Sequence, residues 1–228
     1  MDPQVAQDAA QATQTGILVA LQHGGFATYL IAITLAFAVA FIIERFVKLF
    51  MRLNVNGSSF MFEIQKYVLA NDLDGAIRVC NGAEKAALPR VIKAGLMRAS
   101  RSEEQIQNAI DAASLEVLPQ LERNLPYLAL IANIATLLGL LGTISGLIKS
   151  FAAVSMADPA QRQAILSAGI SEAMYATAFG LVVAIGTMVA HSFLAAKASR
   201  IVSDIDEHSV KLLDLLSARK VQHSSESR

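Results

Sequence analysis

Three long uncharged runs interrupt an otherwise polar chain. The first is Ala27–Ile43, which ends at Glu44; upstream, Ile17–Leu21 and Gly24-Gly25-Phe26 either lengthen it or lie at its edge. The second runs from Asn124 to Ile148, and the third from Ala173 to Ala196, directly after Glu172. A bilayer core takes about 20 mostly apolar residues in a helix, so each run predicts a transmembrane helix. The remaining segments are too polar to span.

Between and beyond these runs the pattern predicts helices of another kind, and residues 57–125 look helical throughout. Ser58 or Ser59 is placed to cap a helix over Phe60–Ala70, whose Phe60, Ile64, Tyr67 and Val68 share one face. Asn71 with Asp74 suggests the next start, and Asn81-Gly82 its stop. Ser102 with Gln105 forms a capping box. The helix that begins there is expected to pass Pro119 and continue into the second span. Asp158-Pro159 predicts a turn with Pro at a first helical position, which makes spans two and three an antiparallel hairpin. Past residue 197, Ile201, Ile205, Leu212 and Leu215/Leu216 fall on one side of a helix. That face suits a bundle or coiled-coil extension, or packing on its own chain. The last residues, His223–Arg228, are polar and are expected to be disordered.

Charge gives the direction of insertion. Residues 1–43 hold no Lys or Arg; residues 44–125 hold 11 of the 19, residues 126–196 hold two, and the rest follow from 197. Basic residues concentrate on the cytoplasmic side of a membrane. The opening residues carry Asp2 and Asp8 but no basic cluster, so they are not expected to form a cleavable signal. The predicted plan is an external N-terminal segment over 1–24, span one over 25–47, a cytoplasmic helical domain over 48–123 and span two over 124–151. A short external loop over 152–167, span three over 168–196 and a cytoplasmic C-terminal helix and tail over 197–228 complete it. The expected class is all-α: an integral membrane protein with three transmembrane helices and long helices extending into the cytoplasm.

Composition agrees. Only 17% of residues are charged, against roughly 25% in soluble domains. Zero net charge without a basic patch gives no nucleic-acid signature. The single cysteine, Cys80, excludes an intrachain disulfide, and its bland reading is a small buried hydrophobe. The four histidines are scattered, so no metal site is predicted. No phosphate loop, Ser/His/Asp set or cofactor motif is present; an enzyme is not expected, and neither is a cofactor.

The polar and small residues inside the spans are the candidates for function. In span two, Gly139, Gly142 and Gly146 allow close approach, the last two as a GxxxG. Ala176 and Gly180 offer a matching face in span three, and together these faces suggest close packing in an assembly. Thr136 and Thr143 share one face of span two; a membrane threonine either bonds back to its own helix or serves as a polar lining. Glu172 stands about 12 Å from the centre of span three, near the bilayer rim. An acid at that depth is either an interfacial anchor or a functional group.

The runs Leu138-Gly139-Leu140-Leu141-Gly142-Thr143-Ile144 and Gly169-Ile170-Ser171-Glu172-Ala173-Met174-Tyr175-Ala176-Thr177-Ala178-Phe179-Gly180-Leu181 resemble the MotA/TolQ/ExbB proton-channel family. The second is similar to that family's G-I-x-E-A-L-x-A-T-A-x-G-L. Three spans with a large first cytoplasmic loop resemble the TolQ/ExbB branch. Thr136 and Gly186 stand where TolQ and ExbB have prolines, so the helix kinks of those proteins do not carry over. The resemblance implies an oligomeric ring, a pentamer, in the bacterial inner membrane, with spans two and three around a central pore. It implies two copies of an ExbD/TolR-like single-span partner whose aspartate carries the proton; this chain has no aspartate within a span. Thr143 and Thr177 would line the pore, and Glu172 would be a pore acid or gate. The implied function is a proton-driven stator for Ton- or Tol-type work or gliding motility. The rival class is a non-conducting membrane scaffold that binds cytoplasmic partners. A solute transporter is disfavoured because no internal repeat or broken helix pair is visible.

Overall fold

The structure is a computed structural model that describes residues 25–53 and 55–226. The expected external segment over 1–24 lies outside the described residues. Among the described residues, seven α-helices follow in order: α1 (Gly25–Val47), α2 (Gly57–Leu69), α3 (Leu73–Gly82), α4 (Ala87–Leu96), α5 (Glu103–Glu122), α6 (Leu125–Met156) and α7 (Arg162–Glu226). A π-helical turn, Lys48–Arg52, continues α1. No strand occurs among the described residues. Three helical stretches among the described residues are long and apolar enough to cross a membrane, beginning at Gly25, Glu103 and Arg162. The described residues divide into two compact units, 25–43 with 126–191, and 44–125 with 192–226.

The first unit is built from α1, α6 and the first half of α7. Ile31, Ala135, Phe179, Val183 and Ala184 form its buried cluster, with Ala32, Leu35 and Leu138 packed on it. Phe41 stacks on Tyr127, with ring centroids 6.0 Å apart. Large apolar side chains such as Phe37, Leu137, Leu141 and Val182 point outward. Only 22–33% of the most apolar stretch of each long helix is buried within the chain. The remaining apolar surface must meet lipid or another polypeptide, because water would make it costly.

The second unit follows the ordinary soluble pattern. Ile64, Ile92, Leu96, Ile106, Ile110 and Leu121 are buried, and Ile201, Ile205, Leu212 and Leu216 of α7 are buried with them. Leu215, expected on that same side, is only half-buried. Arg219 near the end of α7 donates from Nε to Asn71 Oδ1 at 3.0 Å, tying it to the turn between α2 and α3. Cys80 is buried, and burial pushes its thiol up to about 11.

Several local expectations are corrected. The cap of α2 is Asn56, whose Oδ1 accepts from Ser59 N, and not Ser58 or Ser59. Asp72, not Asn71, caps α3 by accepting from Gly75 N at 2.8 Å; Asn71 instead takes the left-handed conformation at φ 60. The Ser102 cap forms as expected, with Gln105 N donating to its hydroxyl. The helix does not run on into the second span. It stops at Glu122, and Asn124 turns the chain at φ 66. Pro126 supplies the reason: inside a continuous helix its ring would clash with the Glu122 carbonyl, whereas in the first turn of α6 its missing N–H costs nothing. Pro159 lies in the turn before α7 and not at its first position, since the helix opens at Arg162. Helix α6 continues to Met156, so 157–161 alone connect the hairpin. At the far end α7 continues to Glu226, through most of the segment expected to be disordered.

Candidate functional site

The two spans that carry the candidate residues meet along a seam of small side chains within one chain. Gly139, Gly142 and Gly146 on α6 recur at the same spacing as Ala173, Ala176 and Gly180 on α7, and the helices run in opposite directions. A Cβ added at Gly180 would stand 2.7 Å from the Ala135 carbonyl oxygen and 3.0 Å from Gly139 Cα. One at Gly142 would meet Ala176 Cβ at 2.7 Å and Ala27 Cβ at 3.0 Å, so α1 closes on the same point. At Gly146 it would meet Ala173 Cβ at 3.0 Å, and Gly169 lies against the Ser150 side chain. Backbones this close leave no room for larger residues, and close approach is what holds helices together where solvent offers no hydrophobic drive. The small residues therefore pack α6 on α7 inside one protomer, where the sequence pattern alone suggested contacts between copies.

Thr177 sits on this seam. Its hydroxyl donates across to the Gly139 carbonyl at 3.0 Å. The bond is possible because glycine lets α7 come near enough to reach a main-chain oxygen of α6. Other hydroxyls in the spans bond back to their own helices: Thr34 to Leu30 O, Thr136 to Ala132 O, Ser150 to Gly146 O and Thr187 to Val183 O. Thr143 belongs to this second group, donating to Leu140 O at 2.7 Å. It lies one turn from Gly139 on α6, half-exposed, and does not bond to Thr177. Each hydroxyl thus gives its proton to a carbonyl while its oxygen can still accept one.

Glu172 lies elsewhere, five residues before Thr177 on α7. Its carboxylate rests against Gly25, the first residue of α1. Gly25 has φ 63, and a Cβ there would collide with Glu172 Oε1, so both the backbone and the contact call for glycine. The first N–H groups of a helix are unpaired and carry partial positive charge, which favours a carboxylate at that place. The structure brings Thr177 to Gly139 and Glu172 to Gly25, and leaves Thr143 on its own helix. Gly25 and Ser150 were missed by sequence reasoning; the glycine pair before span one was the visible signal for the first. No group of metal-binding side chains occurs among the described residues.

The fold and this seam define a multi-pass membrane protein whose hairpin is built for close helix contact. Comparison with known proteins gives the class. The model of the MotA/TolQ/ExbB proton channel family matches residues 83–207, more than half of the chain. The chain belongs to that family. A putative biopolymer transport protein, ExbB-like 3, from Synechocystis is 31% identical over 67% of this chain and 72% of its own length. The Tol-Pal system protein TolQ of Haemophilus influenzae is 35% identical over 42% of each chain. The solved structure of C. jejuni MotAB superposes with a TM-score of 0.59, covering 96% of this chain and 89% of that one at 17% identity, a likeness of fold.

Proposed function

We propose that this chain is the ring-forming stator subunit of a proton-driven motor in the bacterial inner membrane. Five copies would surround a central pore lined by α6 and α7. Two copies of an ExbD/TolR-like single-span partner would sit inside and supply the titrating aspartate. The N-terminus would lie outside and the second unit in the cytoplasm, as the 0-to-11 step in basic residues across span one favours. The observation that carries the reading is the Thr177 hydroxyl on the Gly139 carbonyl, set within the uncharged runs 124–148 and 173–196.

The chemistry follows from what the spans offer. An ionised aspartate in the membrane is costly unless polar groups meet it. Thr177 and Thr143 present hydroxyl oxygens that can accept from a protonated partner carboxyl, and rotation of the hydroxyl about its Cβ–Oγ1 bond lets each donate to an ionised one. Protonation would switch which contact is favoured, and each proton falling through the membrane potential contributes about 2.3 kcal/mol per 100 mV. That is enough to bias a step of the partner within the ring. Glu172, held at the start of α1, would tune proton entry from outside. The work driven is of the Ton, Tol or gliding type.

Co-expression with a single-span, aspartate-bearing partner encoded nearby tests this reading. Native mass measurement should give five copies of this chain with two of the partner, and the complex should leak protons in vesicles. A stable monomer or dimer, or a complex tight to protons under every gradient, would favour the non-conducting scaffold. Glu172→Gln should lower flux or shift its pH dependence. An interfacial anchor would tolerate it at every pH.

A further inference from the structure

The second unit contains a cavity of about 580 Å³ whose wall is mostly cationic. Arg45, Lys48, Lys85, Arg90 and Arg123 line it, with Leu53, Gln120 and one acid, Glu84. Arg45 is wholly buried, an unusual state for an arginine that no carboxylate pairs. Its Nη1 donates to the Gln120 carbonyl at 3.2 Å, but Nε and Nη2 have no partner. Those two nitrogens form one edge of the guanidinium, the planar fork that matches two oxygens of a single oxyanion.

The neighbouring charges do not answer this demand. Lys48 pairs with Glu44, Arg90 with Glu116 at 2.6 Å, and Glu84 is taken by Lys93 at 3.4 Å. Lys85 and Arg123, both exposed, form no ion pair among the described residues. Lys85 and Arg123 therefore share the cavity without an ion-pair partner, beside Arg45, whose nearest carboxylate, Glu44, is already paired with Lys48. A buried guanidinium with a free edge is costly unless an anion completes it. Arg45 and Lys48 follow directly on the uncharged run that ends at Ile43, and basic residues just past a span commonly meet lipid headgroups.

We propose that this cavity binds a phosphate group, held by the exposed Lys85 and Arg123, with the charge of the buried Arg45 behind them. The same chemistry serves the headgroup of an anionic phospholipid and a soluble phosphate compound, and the test separates them. The site is independent of the proton path.

The purified full-length protein, in neutral detergent without phosphate, would be heated while helicity is followed by circular dichroism. Three probes are added at constant ionic strength: phosphatidylglycerol micelles, phosphatidylcholine micelles, whose phosphate is offset by their own cation, and inorganic pyrophosphate. A ligand of the native state raises the unfolding midpoint. Phosphatidylglycerol should raise it more than phosphatidylcholine. A rise with pyrophosphate as well assigns the site to soluble phosphates, and its absence assigns it to lipid. In the Lys85→Gln/Arg123→Gln variant, two charge-assisted contacts are gone, and the half-saturating concentration should increase at least about tenfold. Both residues are exposed, so this variant folds even where Arg45→Gln does not. The control Lys66→Gln/Arg78→Gln should respond like the wild type. No shift with phosphatidylglycerol or pyrophosphate, or an equal response in the cavity variant, overturns the proposal.

Discussion

The two units of this chain reach stability by opposite use of side-chain size. In the spanning unit the seam between α6 and α7 is glycine and alanine, while Phe37, Leu137, Leu141 and Val182 face outward. In the second unit the large residues, Ile64, Ile92, Ile110, Ile205 and Leu212, are inside. The difference follows from the surroundings. Water drives large apolar groups inward, at about 25 cal/mol per Å² buried. Lipid does not, so helix contact there depends on how near two backbones can come. A methyl group thus means different things in the two units: in one it fills the core, and in the other it wedges the core apart.

The largest test of that contrast is steric. Gly180→Leu and Gly142→Leu should abolish the folded hairpin, with membrane insertion retained, as read by protease protection and assembly on native gels. Gly186→Leu, where an added Cβ meets nothing within 4 Å, should assemble normally. Gly95 sharpens the point. A Cβ there would meet Leu212 Cδ2 at 2.9 Å and Ile110 Cδ1 at 3.0 Å, the ends of flexible side chains. Gly95→Ala should therefore be milder than Gly180→Ala, which meets a main-chain oxygen that cannot move aside.

Truncation gives the converse and a smaller effect. Ile110→Ala should cost about 2–5 kcal/mol in the second unit, seen as a lower thermal midpoint. Leu181→Ala, at a side chain 44% exposed, should leave the midpoint nearly unchanged in detergent. Equal losses at both positions would break the comparison.

The smallest effect is chemical. With its thiol pushed from 9.0 to about 11 by burial, Cys80 should be about one part in a thousand thiolate at pH 8. It should resist maleimide until denaturant is added, and native labelling would begin only as pH approaches the raised value. That silence makes the wild-type cysteine a clean background. A thiol introduced at exposed Asn81 should then react from the cytoplasmic face only, and one at Gln7 from outside only. Reversed labelling would overturn the proposed orientation.

Spans two and three were legible because a run of 24 or 25 uncharged residues has few other uses. The buried face of the distal part of α7 was legible because Ile201, Ile205, Leu212 and Leu216 keep one helical period. The break between α5 and α6 was not, since nothing in Asn124 itself announces a positive φ; Pro126 was the available sign. The cap of α2 was misassigned because two serines and an asparagine stand within four residues, and all three are good caps. At the site, residue type named Thr177 and Thr143 equally. Only the distance between helices shows that one hydroxyl reaches across the seam and the other turns back. Glycine on α6 and threonine on α7 make that bond together, and one helix alone does not reveal it. The burial of Arg45 was equally hidden, because a basic residue just past a span ordinarily reaches water.

The most direct measurement is proton flux into proteoliposomes holding the complex of this chain with the proposed single-span partner, for the wild type, Thr177→Val and Thr177→Ser. Valine keeps the shape but deletes the hydroxyl on Gly139, at a stability cost of about 1 kcal/mol, so the ring should keep its mass. The account predicts that flux is lost in valine and largely kept in serine. Wild-type flux in an intact Thr177→Val ring would contradict it.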